Sequence, residues 1–117
     1  MKERLINLFG ENNLEKIKNA HILLVGIGGV GSFCFETLIR CGVENITVID
    51  FDTYEESNLN RQVYATLDTL GKKKIDTALA RAKSINENVN INVLDAFLDF
   101  NSDLTWFNFG ITTPFVP

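Results

Sequence analysis

The chain has 117 residues, 45% of them hydrophobic and 22% charged, with a formal net charge of −4. That length holds one small domain with a modest core, and the acidic balance excludes a surface that attracts nucleic acid as a whole. Every apolar run is shorter than the roughly 20 residues that a membrane span needs, and Met1-Lys2-Glu3-Arg4 leads into no signal-type apolar core, so a cytoplasmic protein with no membrane partner is expected.

In chain order, the pattern predicts a helix over Lys2–Phe9 closed by Gly10, then a second over Glu11–Asn19 with Leu14 and Ile17 facing inward. Both precede the first strand and should cap one side of the sheet. Arg4, on the first, reads as a solvated surface arginine. His21–Val25 is a short apolar run rich in β-formers. Gly26, Gly28, Gly29 and Gly31 follow in the order G-I-G-G-V-G, and residues 30–41 turn helical, with Phe35, Leu38 and Ile39 at a 3–4 spacing and Gly42 as the stop. A second apolar run over residues 46–49 ends on Asp50. Strand, glycine turn, helix, strand and acid make the β-α-β unit that holds a nucleotide.

Each part has a physical task. The first glycine permits the tight turn, the second lets backbone approach a phosphate, and the third lets helix and strand pack closely. The free amides at the helix start favour negative charge. Asp50 lies 19 residues beyond Gly31, where an acid at a strand end can accept ribose hydroxyls. Cys34 and Cys41 are seven residues apart on the same helix with no further ligand nearby; they read as small buried residues in a reducing compartment, and no metal site is expected.

Beyond Asp50, residues 51–62 read F-D-T-Y-E-E-S-N-L-N-R-Q. This stretch is too long and polar for a tight crossover. Asp52, Ser57, Asn58, Asn60, Arg61 and Gln62 crowd a segment just past the strand end, the mouth where open α/β sheets bind ligands. Arg61 is placed to fork onto a phosphate. After Gly71 a helical period runs through Ile75, Ala78, Leu79, Ala82 and Ile85, with Lys72, Lys73 and Lys74 in its first turn, the end of the dipole that disfavours cations. A lysine there is easier to understand if it faces an anion. Asn90–Leu94 alternates as a third strand. The expected fold is α/β: a Rossmann-like parallel sheet with flanking helices, incomplete, with three clear strands and two N-terminal helices in a single nucleotide-binding domain over residues 1–117. The tail from residue 95 is poorly patterned, although Phe107, Phe109, Ile111 and Phe115 alternate as a strand would and Pro114 makes a poor ladder member.

The combination GIGGVGS, VIDFD, SNLNRQ and GKKK opening a helix resembles the ThiF/MoeB-type adenylating enzymes, relatives of the ubiquitin-activating enzymes. The four motifs occur in the family's order over residues 20–94. The flanks ERLINLFGENNLEKIKNAHILLVGIGGVGSF and RCGVENITVIDFDT look like its tRNA threonylcarbamoyladenosine dehydratase branch (TcdA/CsdL). The resemblance implies that Gly26, Gly28, Gly29 and Gly31 form an ATP turn, that Asp50, with Asp52 beside it, belongs to the ribose end, and that Ser57, Asn58, Arg61 and Lys74 approach the phosphates. It makes Arg61, Lys74 and Arg4 the catalytic cations, Arg4 extending into the neighbouring subunit's ATP site of a homodimer. It implies attack of a carboxylate on the α-phosphorus of ATP with loss of pyrophosphate, Mg²⁺ assisting through ligands downstream of this chain. In the dehydratase branch the carboxylate belongs to the threonylcarbamoyl group on tRNA adenosine; in the sister branches it is the C-terminus of a ubiquitin-like sulfur carrier. The chain resembles roughly the first half of such an enzyme, and Glu87 stands where the family usually has proline. A non-catalytic nucleotide-binding or dimerisation module, and an NAD dehydrogenase, are the competing readings.

Overall fold

Apolar spacing sorts the chain into alternating strands and helices, and the computed structural model, which describes residues 1–96, places them as α1 (Lys2–Phe9), α2 (Glu11–Asn19), β1 (His21–Val25), α3 (Gly29–Arg40), β2 (Asn45–Ile49), α4 (Lys74–Ile85) and β3 (Asn90–Leu94). The expected alternation near Phe107 lies outside the described residues. The strands lie in the order β1-β2-β3 and all run parallel, with His21 opposite Asn45 and Asn45 opposite Asn90. The two crossovers carry α3 and α4, as parallel neighbours require. β1 and β2 are buried on both faces and read as continuous apolar runs, whereas β3 alternates between exposed and half-buried positions. This is the Rossmann-like α/β sheet expected, with the acid and the glycine turn at the same end of its strands.

One face of the sheet carries most of the core. Ile22, Leu24, Ile46 and Val48 pack with Phe35 and Ile39 of α3, Ile75, Ala78 and Ala82 of α4, and Val89. The inward stripe of α3 is Gly31, Ser32, Phe35 and Ile39. Cys34 sits beside that stripe, and Cys41 caps the helix rather than lying within it. Both thiols are free and half-buried, not the buried small residues that composition suggested. Burial still pushes the Cys34 thiol up, which makes it a poorer nucleophile. The N-terminal helices close the end of the sheet where β2 begins: Leu5 and Leu14 press on Gly42, and Asn45 Nδ2 donates to the Lys18 carbonyl at 2.8 Å.

Glu36 ties three segments together. Its carboxylate accepts from Arg81 Nε of α4 at 2.7 Å and from the Tyr64 hydroxyl at 3.3 Å, and Arg40 Nε lies 3.5 Å away. The hydrogen bond from Arg81 holds the Glu36 carboxyl below the ordinary carboxylate range. A depressed folded-state pKa contributes stability that is present above the unfolded value, about 4.3, and is lost as pH falls through the folded value. Glu36→Gln should therefore lower stability by about 0.5–1 kcal/mol at pH 7, discounted for partial exposure. Denaturant melts of the two proteins at pH 7 and pH 3 check this: the gap should close at the lower pH.

Candidate nucleotide site

The site grows out of the strand ends. β1 stops at Val25 because Gly26 takes φ 91°, a conformation that favours glycine. The Gly26 amide donates to the Ile49 carbonyl at 2.8 Å, which ties the turn to the end of β2. Gly28 is the N-cap of α3, and Gly31 lies so close to the turn that a Cβ there would sit 2.0 Å from the Gly26 carbonyl oxygen. The first and third glycines thus do what their spacing predicted. Ser32, 1% exposed, completes the turn: its hydroxyl donates to the Gly28 carbonyl at 2.5 Å.

Asp50 links the parts. It is buried, Oδ2 accepts from the Ile27 amide and Oδ1 from the Asp52 amide, each at 2.8 Å. The acid at the end of β2 thereby clasps the glycine turn and aims the next segment. Asp52 is half-exposed, with Oδ2 3.9 Å from Lys74 Nζ.

The polar stretch doubles back on the chain that leads into α4. Tyr54 N–H donates to the Lys72 carbonyl at 3.0 Å, Gly71 N–H to the Tyr54 carbonyl at 2.9 Å and Lys74 N–H to the Asp52 carbonyl at 3.0 Å. This short antiparallel clamp, with Thr53 opposite Lys73, puts Lys74 beside Asp52. It also corrects the helix start: Lys74 opens α4, Lys73 is its N-cap and Lys72 precedes it, so one lysine rather than three lies in the first turn. Lys73 instead pairs with Asp95 at 2.5 Å.

Between the clamp and α3 runs a 3-10 turn, Glu56–Asn58. Asn58 is buried and its Oδ1 accepts from the Glu55 amide at 2.8 Å, so its side chain shapes the turn. Ser57 is exposed, and its carbonyl accepts from Arg61 Nη1 at 2.9 Å. The Arg61 guanidinium is exposed, while its backbone oxygen lies 3.6 Å from where a Gly29 Cβ would stand. The strap carrying Arg61 therefore rests on the glycine turn. Gln62, 3% exposed, lines a hollow of about 300 Å³ beside Arg61 together with Phe33, Leu59 and Val63.

Arg4 is not brought to this site. It is exposed on α1, whose Leu5 packs at Gly42, the far end of β2 from Asp50. Sequence reasoning missed the role of Tyr54, whose signal was a bulky aromatic within a polar stretch, and the burial of Gln62. Among the described residues no cluster of histidine, cysteine and carboxylate side chains could hold a metal ion, and no helix is long and apolar enough to cross a membrane.

The model of the ThiF family matches residues 2–109. The chain belongs to the ThiF family. Within it, this ThiF chain is 37% identical over 103 residues to the tRNA threonylcarbamoyladenosine dehydratase of Haemophilus influenzae, covering 88% of the chain and 40% of the relative. It is 40% identical over 85 residues to the molybdopterin-synthase adenylyltransferase of the same organism, covering 73% of the chain and 35% of the relative. Among solved structures, the Escherichia coli dehydratase TcdA in complex with ATP matches with a TM-score of 0.79 and 40% identity, over 82% of this chain and 40% of that one. The ThiF chain thus spans about two fifths of the length of the dehydratases it matches.

Proposed function

We propose that this chain is the ATP-binding part of an enzyme that adenylates a carboxylate, acting on the threonylcarbamoyl group of tRNA adenosine. The observation that carries the reading is the convergence at one sheet end of the glycine turn, the Asp50 clasp, the Arg61 strap and Lys74. The similarity to dehydratases, one of them solved with ATP, supports the nucleotide and the substrate class.

In this reading the α3 N-terminus and the amides of Gly28 and Gly29 receive phosphate oxygens. Asp50 keeps lone pairs for ribose hydroxyls, since each carboxylate oxygen accepts more than one hydrogen bond and, among the described residues, one amide donates to each. Arg61 swings from the Ser57 carbonyl onto the phosphates, with Ser57 and Asn58 shaping that loop, and Lys74 neutralises charge from the other side. A carboxylate attacks the α-phosphorus and pyrophosphate leaves; capture of the acyl-adenylate within the same group then closes a ring and expels AMP with one carboxylate oxygen, so the substrate loses the elements of water. Such a step needs positioning and charge neutralisation more than covalent help. Mg²⁺ finds no ligand cluster among the described residues, and no step is assigned to it. Arg4, at the far end of the sheet, serves the site of a second copy in a homodimer, a soluble cytoplasmic assembly.

Titration calorimetry with ATP and NAD tests the nucleotide. ATP should bind more tightly, and Arg61→Ala should weaken it by about 1–3 kcal/mol, the worth of a hydrogen bond to a charged group. Tighter binding of NAD would sink the assignment.

A further inference from the structure

Lys74 is a cation in an unfavourable place. It opens α4, where free amides and the positive end of the dipole repel it, and it is 3% exposed, so water offers little compensation. Two groups compensate instead. Asp52 Oδ2 stands 3.9 Å from Nζ, beyond hydrogen-bond contact. The ring of Tyr54 lies under the ammonium, with Nζ 5.6 Å from its centroid. An aromatic face attracts a desolvated ammonium through its quadrupole.

The ring is fixed in place. Tyr54 is 1% exposed, and its own N–H and carbonyl are stitched to Lys72 and Gly71, the residues that lead into Lys74. Its hydroxyl, by contrast, has no hydrogen-bond partner among the described residues. A buried unpartnered hydroxyl costs stability, so the ring rather than the phenol explains the position. Burial, and then the charge of Asp50, push the phenol well above its ordinary range, which keeps the ring neutral.

We propose that Tyr54 is the positioning residue for Lys74, its ring forming a platform that holds the ammonium beside Asp52 and ready for the anionic part of the ligand. An aliphatic residue there would free the four-carbon stem, and the ligand would then have to order it. This rests on the phosphate role given to Lys74 above.

The test compares the full chain with Tyr54→Phe and Tyr54→Leu. In the wild type and Tyr54→Phe, ring current should shift the Lys74 ε-methylene protons upfield; in Tyr54→Leu the shift should vanish. Calorimetric ATP affinity should fall roughly tenfold in Tyr54→Leu, and Tyr54→Phe should rescue it to within roughly twofold. Tyr54→Phe should melt no lower than the wild type, because it removes the unpartnered hydroxyl. Equal affinity in Tyr54→Leu and wild type overturns the platform, as does a Tyr54→Phe variant that falls as far as Tyr54→Leu. If Tyr54→Leu does not fold, the Lys74 shift and the affinity of Tyr54→Phe still decide, since that variant opens no cavity. A wild type with the ring-shifted Lys74 that binds no ATP would support the platform and overturn the nucleotide reading instead.

Discussion

Gly31→Ala should lower stability by about 3 kcal/mol or more and abolish ATP binding. Two effects of the added methyl oppose each other. Alanine is the better helix former by about 1 kcal/mol, and Gly31 lies in the first turn of α3. Against this, the new Cβ would stand 2.0 Å from the oxygen and 2.9 Å from the carbon of the Gly26 carbonyl. Both groups are backbone, so no flexible side chain can give way. The Gly26 carbonyl belongs to a turn held by the Ile49 carbonyl, and relief requires the start of α3 to lift away from it. That movement separates the helix amides from the turn that the phosphates would occupy. Chemical denaturation and ATP titration of the two proteins measure both effects. A Gly31→Ala protein more stable than wild type would mean that helix propensity prevails and that the close approach is unimportant.

Asp50→Ala should cost about 2–4 kcal/mol, through one buried and one partly buried amide left without an acceptor. The Ile27 and Asp52 N–H groups each give a charge-assisted hydrogen bond to one carboxylate oxygen, and Asp50 as a residue is 4% exposed. Asp50→Asn tests the geometry more finely. Its amide keeps one acceptor oxygen and sets an NH₂ group against the other N–H, so its stability should fall between those of wild type and Asp50→Ala. On the proposed reading ATP affinity should drop in both variants, because the group proposed to meet the ribose hydroxyls is also the one that clasps the glycine turn. Hydrogen exchange at the Ile27 and Asp52 amides locates the damage: both should exchange faster in Asp50→Ala. Unchanged protection there would remove the clasp from the account of the site.

The legible part of this protein is local. The bounds of α1, α2, β1 and β3 follow from apolar spacing together with Gly10 and the polar residues between them, and they match the structure residue for residue. The glycine order, with Asp50 19 residues beyond Gly31, placed the turn and the acid at one sheet end, because a β-α-β unit leaves few other arrangements. The four motifs in order were enough to point to the ThiF family. What spacing could not reach were contacts between residues far apart in the chain. The lysine run after Gly71 reads as one helical turn, yet the pairing of Lys73 with Thr53 starts the helix at Lys74. Cys34 and Cys41 are apolar enough for the core, but Phe35 and Ile39 fill it, Cys34 packs against it only half-buried, and Cys41 caps the helix. Tyr54 beneath Lys74 and the Glu36 network bring together positions that carry no shared period. Periodicity reports which face of one element is buried. Which side chains meet across elements is set by close packing of the whole interior, and that information exists only once the strands and helices have been assembled.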